Sequence, residues 1–136
     1  MFKVLADRNT NRLYITLSGI LSKDEAKTVS ATIVREVGKL KPGFDVINDI
    51  SQLIKADWGG VKTLREIMIF LRNREVRVVI RVVGSSKNSL LQFAKATLGF
   101  LGYKPRFVPT IKEAEDIIAQ LNEKRQEALA QSSVGA

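Results

Sequence analysis

The sequence contains neither histidine nor cysteine. The side chains that most often act as general base, thiolate nucleophile or transition-metal ligand are therefore missing from the outset. Ser18, Ser22, Ser30, Ser51, Ser85, Ser86 and Ser89 have no imidazole to activate them. Ser86 and Lys87 are sequence neighbours that point in different directions on any regular element, which argues against a Ser–Lys nucleophile. Asp45, Asp49 and Asp57 could gather near one end of a sheet, where open α/β sheets bind ligands. Their spacing matches no calcium loop, however, and acids at strand ends and helix starts usually serve as caps. Neither a metal nor a cofactor is expected, and the chain reads as a binder, not an enzyme.

Two groupings remain. In Asp57-Trp58-Gly59-Gly60 a glycine pair at a helix start allows close backbone approach and leaves amide donors for an anion or a partner carbonyl. The spacing of a Walker loop is absent. Trp58, the only tryptophan, either covers the edge of the core or anchors a partner. With Asp49 and Ser51 ahead of it and Lys62 behind it, this segment forms the candidate partner-binding set: Asp49, Ser51, Asp57, Trp58, Gly59, Gly60 and Lys62. The second grouping is Arg77 and Arg81, four apart on one strand and therefore on one face with Val79 and Val83. Long arginine stems reach past a helix to water; otherwise the two line an anion site.

Charge adds a third signal. The formal net charge is +8, and between Arg72 and Arg106 eight basic side chains face the single acid Glu75. Such a field attracts nucleic acid, anionic lipid or an acidic protein, or serves only solubility. Aromatic residues that would stack on single-stranded bases are few, because Phe93, Phe100 and Tyr103 read as packing residues. The N-terminal apolar run is too short for a signal peptide and no segment has the length of a membrane span, so a soluble cytoplasmic protein is expected.

The elements that must position these groups can be read from periodicity. Phe2 and Val4, a turn at 7–11, and alternating Leu13, Ile15 and Leu17 predict a β-hairpin. Ser22-Lys23-Asp24-Glu25 has capping-box spacing and opens a helix with the stripe Ala26, Val29, Ile33, Val37 and Leu40, stopped by Pro42-Gly43. Residues 44–50 read as a strand leading into a functional loop, and Asp57 caps a second helix with Val61, Leu64, Ile67, Met68 and Leu71 inward. Residues 76–83 form the strongest strand, closed by Gly84. Ser85-Ser86 offers caps for a third helix striped by Leu90, Leu91, Ala94 and Leu98. A short strand at 106–108 and a helix capped by Thr110, with Ala114, Ile117 and Ile118 inward, complete a domain over residues 1–123. The tail 124–136 is expected to fray. The order β-β-α-β-α-β-α-β-α implies an α/β fold with a mixed four- to five-stranded sheet and four helices.

This order, with Gly19 after the second strand, Asp49-Ile50-Ser51 ahead of Asp57-Trp58-Gly59-Gly60, and the ending Phe107-Val108-Pro109-Thr110-Ile111-Lys112-Glu113-Ala114, resembles the STAS family over residues 2–122. The family includes anti-sigma-factor antagonists and sulfate-transporter tails. The resemblance implies a regulatory or scaffold module that binds another protein through residues 49–71, with self-association as a further form of partner. In the antagonists the matching loop reads Asp-Ser-Ser-Gly or similar and its first serine is phosphorylated; Trp58 holds that place here and cannot accept a phosphoryl group. Behind the protein partner stand a small apolar or lipid-like ligand between helices and sheet, then an electrostatic nucleic-acid contact.

Overall fold

The computed structural model describes residues 1–84 and 106–134, with the side chains of Trp58, Val61, Ser133 and Val134 left out. Five strands form one sheet in chain order: β1 (Phe2–Asp7), β2 (Arg12–Leu21), β3 (Asp45–Ala56), β4 (Val78–Val82) and β5 (Arg106–Val108). β1 runs antiparallel to β2 and every later neighbour is parallel. The hairpin closes where the Asp7 carboxylate accepts hydrogen bonds from the amides of Asn9 and Thr10, while Asn11 takes the left-handed conformation at φ 56°. Asparagine tolerates that region better than most residues.

Parallel neighbours need crossovers. α1 (Lys23–Val37) links β2 to β3, and α2 (Trp58–Asn73) links β3 to β4. Both lie on one face, where Ala26, Val29, Ile33 and Val37 of α1 and Leu64, Ile67, Met68 and Leu71 of α2 bury against Leu13, Ile15, Leu17, Val46, Val79 and Val83. α3 (Ile111–Val134) covers the opposite face, placing Ala114 and Ile118 on Ile47, Ile80, Val82 and Val108. The predicted helix through Leu90–Leu98 lies outside the described residues, which hold three helices.

β3 is longer than its sequence pattern predicts. The strand expected to end at Ile50 continues to Ala56, so Asp49 and Ser51 sit within a strand and not in a loop. The reason is two extra residues in β3 relative to β2. Thr16 and Ser18 pair with Asp49 and Gln52, and Gly19 and Ile20 pair with Leu53 and Lys55. Each bulge removes one residue from the alternation, and Ile50 and Leu53, three apart, consequently enter the same core. The last helix also differs from expectation, running past Glu123 to Val134. Its residues 122–132 are all exposed, which is why no apolar stripe marks them.

Glu36, on the last turn of α1, ties that helix to the sheet edge. Its buried carboxylate accepts from the Ala6 amide at 3.3 Å and pairs with Lys39 at 2.6 Å. The bond to Lys39 is the main cause that holds its pKa below the ordinary 4.5, against the opposing effect of burial. A depressed carboxylate contributes stability that is present above its unfolded value and lost as pH falls through the folded one. Urea midpoints of the wild type should therefore fall faster below pH 4.5 than those of Glu36→Gln; parallel curves between pH 5 and 3 would remove this role. Separately, Ile80→Ala should cost about 2–5 kcal/mol in the same assay, because Ile80 is fully enclosed between the sheet and α3. Half-buried Val78 should cost less.

Candidate functional site

Asp57 is the hub of the predicted binding segment. As the N-cap of α2 it accepts from the Gly60 amide through Oδ1 at 2.8 Å, while Oδ2 accepts from the Lys23 amide at 3.1 Å. One carboxylate thus satisfies orphan donors at the starts of both α1 and α2, where the helix dipoles also favour negative charge. Its own amide donates to Leu21 O at 3.2 Å, fixing the cap to the end of β2. Ser22 completes the corner by accepting from the Glu25 amide at 3.1 Å.

The glycine pair serves this close packing. A Cβ on Gly59 would lie 2.9 Å from the Cβ and Cγ of Lys23, and one on Gly60 would lie 3.0 Å from the Leu21 carbonyl oxygen. The first clash meets a side-chain stem and the second meets backbone, so Gly60 is the less replaceable of the two. Close packing at the two helix starts thus gives both glycines a structural reason.

The approach of the helices leaves an open groove between their outer faces. Lys23, Lys27 and Ser30 of α1 line one wall, and Gly59, Lys62, Thr63 and Glu66 of α2 line the other. Three ammonium groups therefore share the groove with one carboxylate. Lys62 was legible from its place beside the glycine pair. Lys23 and Lys27 were not, although their i, i+4 spacing on the outward side of α1 is the signal that places them in one row.

The remaining candidates are dispersed. Asp49 Oδ1 accepts from the amide of Ser51 at 2.9 Å and from its hydroxyl at 2.6 Å, stabilising the first bulge of β3. No hydrogen bond among the described residues joins this pair to Asp57. The Trp58 side chain lies outside those described. Asp45 is held by Arg77, so Asp45, Asp49 and Asp57 are engaged separately.

The shared face predicted for Arg77 and Arg81 is incorrect. Arg77 precedes the first residue of β4 and escapes its alternation. Its guanidinium grips Asp45 in a bidentate pair, Nε to Oδ1 at 2.8 Å and Nη2 to Oδ2 at 2.6 Å, and reaches Asn122 of α3 at 2.8 Å. The hydrogen bond to Asp45 is the main reason its pKa is raised above the usual arginine value. Arg81 follows the parity, lies beneath α1 and α2, and is only 2% exposed. Its stem does not reach water, because the two helices that share this face close over it.

If Asp57 couples the two helix starts, removing its side chain should cost more than one ordinary cap. Asp57→Ala should lower unfolding stability by roughly 1–3 kcal/mol in urea. Asp57→Asn, which keeps one oxygen acceptor, should lose less. A loss below about half a kcal/mol for Asp57→Ala would show that the helix ends are held by other contacts.

No protein-family model and no curated protein sequence matches the chain. Solved structures do. The anti-sigma factor antagonist SpoIIAA in its unphosphorylated form superposes with a TM-score of 0.63 at 17% identity, covering 88% of this chain and 98% of that one. The phosphorylated form of SpoIIAA, a Bacillus cell fate determinant, gives 0.62 at 18% identity, covering 87% and 99%. A protein of the DUF3478 family with a SpoIIAA-like fold, from Shewanella loihica PV-4, gives 0.62 at 14% identity, covering 85% and 90%. With the sheet order and helix placement described above, these likenesses establish that the chain has the STAS-like fold of SpoIIAA.

Proposed function

We propose that the chain is a non-enzymatic regulatory module that docks an acidic surface of another protein on the α1–α2 groove, with no phosphoryl switch at the start of α2. The observation that carries this reading is the groove itself, in which Lys23, Lys27 and Lys62 stand against the lone acid Glu66. Asp57 and the tightly packed glycines hold its two walls together before any partner arrives, which reduces the ordering cost of association. The likeness to an anti-sigma factor antagonist supports a protein partner. The chain's lack of histidine and cysteine supports binding over catalysis.

Side-chain chemistry supports the absence of a switch. SpoIIAA has been solved in unphosphorylated and phosphorylated forms; in our reading Trp58 stands where the antagonists carry a phosphorylated serine. Phosphorylation works by adding charge and acceptor oxygens; an indole offers a large apolar area and one donor. A contact built on it is constitutive.

The test compares proteins captured from lysate by the wild type and by the Lys27→Glu/Lys62→Glu variant. Both lysines are exposed, so folding stability should change by less than about 0.5 kcal/mol. A genuine partner should be lost from the variant and should bind the wild type at least tenfold more tightly, about 1.4 kcal/mol. It should also be weakened by Trp58→Ala. A partner retained equally by wild type and variant overturns the groove as the docking surface. Equally tight binding to an unrelated DNA duplex, with a steep loss on raising salt, overturns the protein reading in favour of a general polyanion contact.

A further inference from the structure

Arg81 is the most costly group in the core. It lies in β4 on the face covered by α1 and α2, and it is among the largest fully buried side chains. Its Nη2 lies 3.6 Å from the Met68 sulfur, a weak acceptor, while Nε and Nη1 have no hydrogen-bond partner among the described residues. The carboxylates that might have paired with it are engaged elsewhere: Asp45 with Arg77, Glu36 with Lys39, Asp49 with Ser51. Burial lowers the pKa of the guanidinium to about 10, so it remains a cation at neutral pH. An isolated buried cation is strongly unfavourable unless an opposite charge compensates it.

Arg81 also borders a cavity. A cavity of about 20 Å³ is walled by Ile15, Val29, Ile67, Met68 and Asn48 together with Arg81. Asn48 is the register partner of Arg81 in β3 and gives one amide proton to Ile15 O at 3.1 Å. The walls are otherwise apolar. A space of this size holds about one water-sized particle, in a cavity bordered by one full positive charge.

We propose that Arg81 anchors a buried site for a monoanion, supplied either by a free halide such as chloride or by the carboxylate head of an acyl chain whose tail runs between α1 and α2. The two sources share one chemistry, a single negative charge seated on a guanidinium in apolar surroundings. A halide, somewhat larger than water, requires only a small outward shift of the apolar walls. A carboxylate head requires the two helices to part along the apolar seam formed by Val29, Ile33, Leu64 and Met68. This site is independent of the surface groove, and neither proposal needs the other.

The test uses the full chain exchanged into sodium gluconate. At constant ionic strength, gluconate is replaced stepwise by chloride; in a parallel series sodium decanoate is added below its micelle concentration, with decanol as the uncharged control. At a hundredfold excess over Kd the melting temperature should rise by about 5–10 °C. A response to chloride identifies the free ion, and a response to decanoate but to neither chloride nor decanol identifies the acyl carboxylate. Arg81→Met, which keeps the length and removes the charge, should abolish either response.

Location is read without a variant. The chain has two methionines, Met1 and Met68, so methyl-labelled methionine gives two NMR signals. Anion binding should shift that of Met68 and leave exposed Met1 unmoved. A wild type indifferent to both anions, a response retained by Arg81→Met, or a response that leaves the Met68 methyl in place would each overturn the site.

Discussion

Two helices must share one face of a five-stranded sheet, and their starts must come close enough for the sheet beneath to be sealed. That constraint organises much of the molecule. Helix starts present unpaired amides and the positive ends of two dipoles, so bringing them together is unfavourable without an anion between them. Asp57 supplies the anion, and its two oxygens divide between the helices. Gly59 and Gly60 supply the room, since side chains there would meet Lys23 and the Leu21 carbonyl. The same segment that looks like a ligand loop is thus first a joint, and the basic groove is what the joint leaves on the surface.

The two faces of the sheet treat charge differently. On the α3 side, Arg77 is bidentate with Asp45 and also bonded to Asn122, so one guanidinium connects strand β3, the approach to β4 and helix α3. On the α1–α2 side, Arg81 is enclosed with a thioether as its contact. The contrast comes from position more than residue type. Arg77 sits where the strand begins and a long stem can choose its side; Arg81 is fixed by the pleat within the strand, between Ile80 and Val82, which face the other way.

Much of the fold was legible because its signals are local. Ser22, Asp57 and Thr110 each accept from the amide three residues on, as their capping spacing implies. The hairpin turn and the apolar stripes of α1 and α2 follow from side chains within a few residues of each other. What was not legible depends on partners distant in sequence. The extra residues of β3 make sense only against the register of β2, so Asp49-Ile50-Ser51 reads as the end of a strand when it is a bulge in the middle of one. Arg77 leaves its expected face for Asp45 and Asn122, residues far away along the chain. Lys23 and Lys27 join the site from a different helix than the one the motif opens. Residues 122–132 of α3 are exposed and carry no apolar stripe.

The Glu36–Ala6 contact carries a consequence for how copies of this chain behave toward one another. β1 is an edge strand, and edge strands offer outward amides on which another chain can add a strand and begin to aggregate. The Ala6 amide is one such donor, directed away from β2, and the carboxylate of Glu36 occupies it. A strand approaching that edge would have to displace a buried carboxylate held by Lys39. Strand addition at this margin is therefore opposed at Ala6 by an acid from the helix above it, a local guard against stacking into fibres.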